Sequence, residues 1–256
     1  MLWSTKRRLF FIFGILAVFA LIAGVVYMTK YYQPPSCSDK IQNQGENGPD
    51  CGGPCSVVCA AQVTQPIISW SRSFESGKGA YNAVAYIENP NPNLGVREAV
   101  YRFKLYDQND VFILERVGKT YIRPNEQFAI FEPRIPVGER IPKRTFFEFL
   151  SFSDWIKIEG QKPDISVKAP IPETGPTPSV SVSLTNKDNL SVQDIRVVAV
   201  VYDKDNNAMA ASASAVDSIP AESSSEVVFT WPVPFPSSPK RVEVLPRVDP
   251  FEVPVR

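Results

Sequence analysis

The sequence predicts an all-β protein carried on one transmembrane helix, with two tandem sandwich modules. Three observations predict it. Leu9 to Met28 are twenty consecutive residues without a charge. From residue 67 onward, short β-forming runs alternate apolar and polar positions and are cut by Pro, Gly and Asn. Proline is 24 of 256 residues, about twice the usual share, which disfavours long helices elsewhere. The expected organisation is a cytoplasmic tail at 1–8, a transmembrane helix at 9–28 and a cysteine-rich juxtamembrane segment at 29–66. A first sandwich at 67–163 follows, then a second at 164–256 that includes a Pro-rich joint.

The apolar run comes first. At 1.5 Å per residue it makes a helix of about 30 Å, enough to cross a hydrocarbon core. Signal peptides have an apolar region of roughly 7–15 residues followed by small residues. This run is longer and ends in the bulky Val25-Val26-Tyr27-Met28, so an uncleaved anchor is expected. Lys6, Arg7 and Arg8 precede it, which places the tail in the cytoplasm and the rest outside. Tyr31-Tyr32 on one side and Trp3 on the other read as interfacial aromatics.

All four cysteines, Cys37, Cys51, Cys55 and Cys59, lie in the next segment. An even count just outside a membrane points to two disulfides, with three pairings open. The segment is rich in Gly, Asn, Gln, Ser and Asp, so cross-links rather than a core must give it shape. Zinc is the weaker alternative, because the spacing does not follow that of structural zinc sites. Asp39, Asn43, Glu46 and Asp50 offer oxygen ligands, but they do not form a calcium loop and read as turn formers.

The string Asp50-Cys51-Gly52-Gly53-Pro54-Cys55, after Cys37, Asp39, Ile41-Gln42-Asn43 and Glu46, resembles a small motif of bacterial surface and secreted proteins. Lys40 stands where those copies have glycine, and Pro49 precedes Asp50. The resemblance implies an extracytoplasmic location and no chemistry.

The strands follow in order. Tyr81–Ile87, Val100–Tyr106, Val111–Leu114, Phe128–Phe131, Thr145–Leu150 and Trp155–Ile158 make the first set. Asn89-Pro90-Asn91-Pro92-Asn93 is a loop and Asp107–Asp110 a turn. Val180–Leu184, Val192–Tyr202, Ala208–Val216, Val227–Trp231 and Val242–Leu245 make the second set, with a turn at Asp203–Asn207. Leu105-Tyr106-Asp107 falls on Val201-Tyr202-Asp203 at an offset of 96, as do Asn93-Leu94 on Asn189-Leu190 and Pro124 on Pro220. Asn89 falls on Asn186 once one residue is inserted. This predicts a duplicated module of immunoglobulin-like or fibronectin-like type, with a β-barrel as the rival.

The first core is expected among Tyr86, Val100, Phe103, Leu105, Phe147, Phe149, Trp155 and Ile158. The second is expected among Val182, Leu184, Ile195, Val198, Val200, Val228 and Val242. The run from Ala169 to Pro178 reads as a semi-rigid polyproline spacer that also contributes to the second module's first strand.

Tyr81 to Asn91 followed by Phe103-Lys104-Leu105-Tyr106-Asp107 is similar to membrane-anchored proteins of candidate-phyla bacteria. The Phe-x-Leu-Tyr-Asp string also resembles short β-sandwich modules named for it. Ala199 and Val201 replace its Phe and Leu in the second set. The resemblance implies a fold and a surface location, and no reaction.

The function classes narrow accordingly. No histidine occurs, so imidazole bases and His-liganded metals are excluded. Lys plus Arg equals Asp plus Glu at 27 each, which argues against nucleic-acid binding. Neither a nucleophile elbow nor a phosphate loop is present, and Ser76-Gly77-Lys78-Gly79 reads as a surface turn. No catalytic residue, cofactor or metal is expected. The expectation is a non-enzymatic structural or protein-interaction element of the cell envelope. Its partner would be an envelope protein or a wall polymer, with Trp231 and Phe235 as candidate partner surface. The alternatives are a carbohydrate- or peptidoglycan-binding module using Trp70, Tyr81 or Trp231, and an accessory subunit of an envelope enzyme.

Overall fold

The computed structural model describes residues 3–30, 36–159, 162–168 and 170–251. Tyr31-Tyr32 and Ala169 lie outside them. Two compact units divide the chain, Met1–Cys55 and Ser56–Arg256.

The first unit holds helix α1, Trp3–Lys30, whose stretch Lys6–Lys30 is long and apolar enough to cross a membrane. Its apolar side chains, among them Phe10, Phe13, Phe19 and Leu21, are exposed on every side. A helix apolar all round has no single face for a soluble core, and a bilayer is the solvent that suits it. The cysteine segment Ser36–Cys55 contains turns and one isolated bridge, Gly48 to Cys51, with no long strand or helix.

The second unit is a stack of four antiparallel sheets. Its strands are β1 Ile67–Gly77, β2 Ala80–Asn89, β3 Leu94–Tyr106, β4 Phe112–Ile122, β5 Glu126–Pro136, β6 Arg144–Phe152 and β7 Trp155–Lys157. They continue with β8 Ile165–Val167, β9 Ile171–Glu173, β10 Ser179–Asn186, β11 Val192–Tyr202, β12 Ala208–Ile219, β13 Ser224–Thr230 and β14 Arg241–Arg247. The first sandwich pairs sheet β1-β2-β5 with sheet β4-β3-β6, and β7 adds to β3. The second pairs β8-β10-β13 with β12-β11-β14, and β9 adds to β10. The strand order is the same in both, and both are open sandwiches rather than barrels.

Alternation along each strand builds three apolar layers. In the first sandwich Ala83, Ala85 and Ile87 of β2 meet Phe103 and Leu105 of β3 and Phe147 of β6. Phe103 and Phe147 pack edge to face at 4.9 Å, a favoured aromatic geometry. In the second sandwich Val180, Val182 and Leu184 of β10 face Ile195, Val197 and Ala199 of β11. The intervening positions form the third layer, between the sandwiches: Val84 and Ala129 on one side, Val198, Val200 and Tyr202 on the other.

This third layer corrects the expected cores. Tyr86 stacks on Trp70 at 5.7 Å and belongs to the sheet face turned toward the second sandwich. Val198 and Val200 are buried between the sandwiches, not inside the second one. Val228 is 52 % exposed. The phase of its strand is off by one, because β13 registers Val227 on Val182 and Phe229 on Val180 and turns those two inward. Val100, Phe149 and Ile158 are half-buried. Phe103, Leu105, Phe147, Trp155, Val182, Leu184 and Ile195 are buried as expected, while Val242 packs half-buried against the second core.

The segment assignments also change. A further strand, β1, precedes the expected Tyr81–Ile87 strand. Residues from Ser56 on, expected in the cysteine segment, join the first sandwich. Val58 lies in its core, its amide donates to the Trp155 carbonyl at 2.8 Å, and Val57 bridges Ile156. The Pro-rich run contributes a strand to the second sandwich. Ile171-Pro172-Glu173 forms edge strand β9 on β10, where a proline costs no ladder bond on the open side.

Candidate functional site

In the cysteine segment, Cys37 bonds Cys55 with an S–S distance of 2.03 Å. Cys51 and Cys59 are disulfide-bonded as well, so no described thiol is free. Short polar side chains supply the shape that a core cannot. The Asp50 carboxylate accepts from the amides of Asp39 at 2.8 Å and Lys40 at 2.9 Å. Asp39 accepts from the Ile41 amide at 2.9 Å and from Asn43 Nδ2 at 2.9 Å. Those bonds, the one from Asn43 first, hold the Asp39 carboxyl below the usual range. Asp39, Asp50 and Asn43 are thus engaged in turns. Glu46 is buried, and its Oε2 accepts the amides of Asn43 at 3.2 Å and Asp50 at 3.3 Å. The ligand atoms of Cys37, Glu46 and Cys55 lie within 4.8 Å of one another, but both sulfurs are spent in the disulfide.

Between the sandwiches, polar contacts rim the third apolar layer. Arg247 of β14 donates from Nε to Glu126 Oε1 and from Nη2 to Glu126 Oε2, both at 3.1 Å. Its Nη2 also donates to the Tyr121 carbonyl at 2.8 Å, and its guanidinium lies over the rings of Phe128 and Tyr121. The two side chains are 8 % and 3 % exposed. Glu243 of β14 accepts from Tyr86 of the first sandwich at 2.9 Å and from Tyr202 at 3.0 Å. Burial first, then the Glu243 charge, pushes both phenols above the ordinary tyrosine range. Arg72 donates to the Ala208 carbonyl at 2.9 Å.

Of the candidate partner residues, Trp231 is buried and Phe235 is half-buried. Trp231 is 4 % exposed within the second core, and Phe235 packs on its ring at 5.1 Å. Trp231 turns inward because it closes the end of that core. A larger exposed apolar patch lies on the first sandwich. A groove of about 550 Å³ runs between β1 and β6, lined by Ile68, Trp70, Phe146, Phe149 and Phe152. β6 pairs only with β3 among the described strands, so its other edge borders this groove. Phe146 precedes the core residue Phe147 on β6. Its exposure follows from alternation, since Phe147 takes the core side of β6.

No protein-family model matches this sequence, and a search of curated proteins finds no relative. Among solved structures, the chain is similar to a transglutaminase from red sea bream, at 10 % identity and a TM-score of 0.25. That match covers 74 % of this chain and spans 30 % of the transglutaminase.

Proposed function

We propose that the chain is a single-pass, extracytoplasmic membrane protein whose paired sandwiches act as a non-enzymatic structural or protein-interaction element of the cell envelope. The observation that carries the reading is the combination of one apolar helix with cysteines that are all oxidised. Lys6, Arg7 and Arg8 before the helix support a cytoplasmic tail. The common strand order and the offset of 96 support a duplicated immunoglobulin-like module. The resemblance to anchored surface proteins agrees with both.

The groove beside β6 supports a protein partner over a wall polymer. Its lining is aromatic and aliphatic, with Gln65, Ser71 and Glu148 as its polar members. Aromatic anchors of this kind are what the buried centre of a protein interface uses. Photo-crosslinking in native envelopes from position 146 tests the reading. The expected result is one reproducible protein adduct that a Phe149→Asp variant loses. Saturable binding of purified wall fragments, with no protein adduct, would overturn it.

A further inference from the structure

We propose that the Cys37–Cys55 disulfide is a thiol–disulfide exchange site, with Cys37 as the sulfur open to attack and Glu46 as the proton partner of Cys55. The two sulfurs differ in access. Cys37 is exposed, whereas Cys55 is 1 % exposed. Glu46 is 7 % exposed, and its Oε1 lies 3.0 Å from Cys55 Sγ. A disulfide sulfur carries no proton, so this contact is not a hydrogen bond in the oxidised protein. The other oxygen, Oε2, holds two amides. Oε1 therefore faces Cys55 without a donor among the described residues, a costly arrangement for a buried oxygen. Opening the disulfide supplies what is missing, because a Cys55 thiol would donate its proton to Oε1.

The chemistry balances with an external thiol as co-reactant. Its thiolate attacks Cys37 Sγ, a new S–S bond forms there, and the Cys37–Cys55 bond breaks. The external thiol is oxidised and Cys55 is reduced. The proton lost by that thiol to solvent is matched by one that Cys55 gains through Glu46. In the return step the Cys55 thiol passes its proton to Glu46 as its sulfur attacks Cys37 of the mixed disulfide, and the external thiolate leaves. A buried carboxylate beside the buried sulfur serves both directions as a general acid and base. Asp50 binds the amides of Asp39 and Lys40, and Glu46 Oε2 binds those of Asn43 and Asp50, contacts that do not involve the disulfide itself.

The test uses the full chain in detergent with glutathione as the thiol, acid quenching and mass-spectrometric mapping. Glutathione is expected on Cys37, with Cys55 as the free thiol. Adducts mainly on Cys55, or none on this pair, would overturn the proposal, and this arm needs no variant. The second arm follows the rate at which the mixed disulfide closes. Glu46→Gln should slow closure by about a hundredfold and flatten its pH profile. Closure at the wild-type rate with an unchanged profile would also overturn the proposal.

Discussion

Asn89 and Asn186 occupy the same place in two different sandwiches. Each ends the middle strand of its sheet, β2 or β10, and is fully buried. Asn89 Nδ2 donates to the carbonyls of Leu94 at 2.9 Å and Arg123 at 2.6 Å, and its Oδ1 accepts from the Asn91 amide. Asn186 Nδ2 donates to the carbonyls of Leu190 at 2.8 Å and Ile219 at 3.2 Å, and its Oδ1 accepts from the Asp188 amide. In both cases one amide ties the following loop to the end of a strand in the facing sheet, β4 in the first sandwich and β12 in the second. Replacing either with Ala would leave buried carbonyls unpaired. A loss of about 2–3 kcal/mol is expected in denaturant unfolding for each. Losses under 0.5 kcal/mol would show that the loops hold themselves.

Arg247→Ala should be more damaging than its single ion pair suggests, because it leaves the buried Glu126 carboxylate without its bidentate partner and the Tyr121 carbonyl without its donor. The expected cost is about 3–5 kcal/mol. The same change loosens one sandwich from the other, so calorimetry should show one transition in the wild type and two in the variant. Adding Glu126→Gln removes the orphaned charge and should recover part of the loss. A single transition in all three proteins would mean that the apolar layer alone couples the sandwiches.

The pH dependence of that contact lies on the alkaline side. Tyr86 and Tyr202 have folded pKa values above the ordinary value of 10.0. The folded state therefore keeps their protons longer than the unfolded state. Their contribution is full below pH 10 and is lost as pH rises through the folded values. Stability should fall above pH 10, and a Tyr86→Phe/Tyr202→Phe variant should lose part of that slope, the rest staying with Tyr81, Tyr101 and Tyr121, which burial also raises. Phenolate absorbance during titration reads the same groups directly.

Trp231→Ala should cost about 3–5 kcal/mol through the cavity it leaves in the second core. Val228→Ser, in the strand that leads into Trp231 and exposed, should stay within about 0.5 kcal/mol. Crosslinking from position 146 should be unchanged in Val228→Ser. A mild Trp231→Ala effect would place that ring at the surface in solution.

Strand positions were legible wherever one face is wet and the other dry. Val192–Tyr202 matches β11 from end to end. The turns were legible from their chemistry: Asp107 Oδ1 accepts from the Asn109 and Val111 amides, and Asp203 Oδ1 from those of Asp205 and Asn207. What escaped was burial on both faces. The run Val197-Val198-Ala199-Val200-Val201 has no polar alternation, and an uninterrupted apolar run is what a doubly covered strand looks like. That signal would have found the layer between the sandwiches. The phase of β13 escaped because Val227 and Val228 are adjacent valines, and only the register with β10 decides between them. The disulfide pairing and the approach of Glu46 to Cys55 depend on turn geometry over 18 residues, where no periodicity exists to read.

The central claim is an anchored chain with its oxidised cysteines outside the membrane. A membrane-impermeant thiol label, added to intact cells before and after external reduction, tests it most directly. The account predicts labelling of Cys37, Cys51, Cys55 and Cys59 only after reduction, on a full-length, membrane-bound chain. Labelling that appears only after the cells are lysed would place the cysteines inside and contradict it.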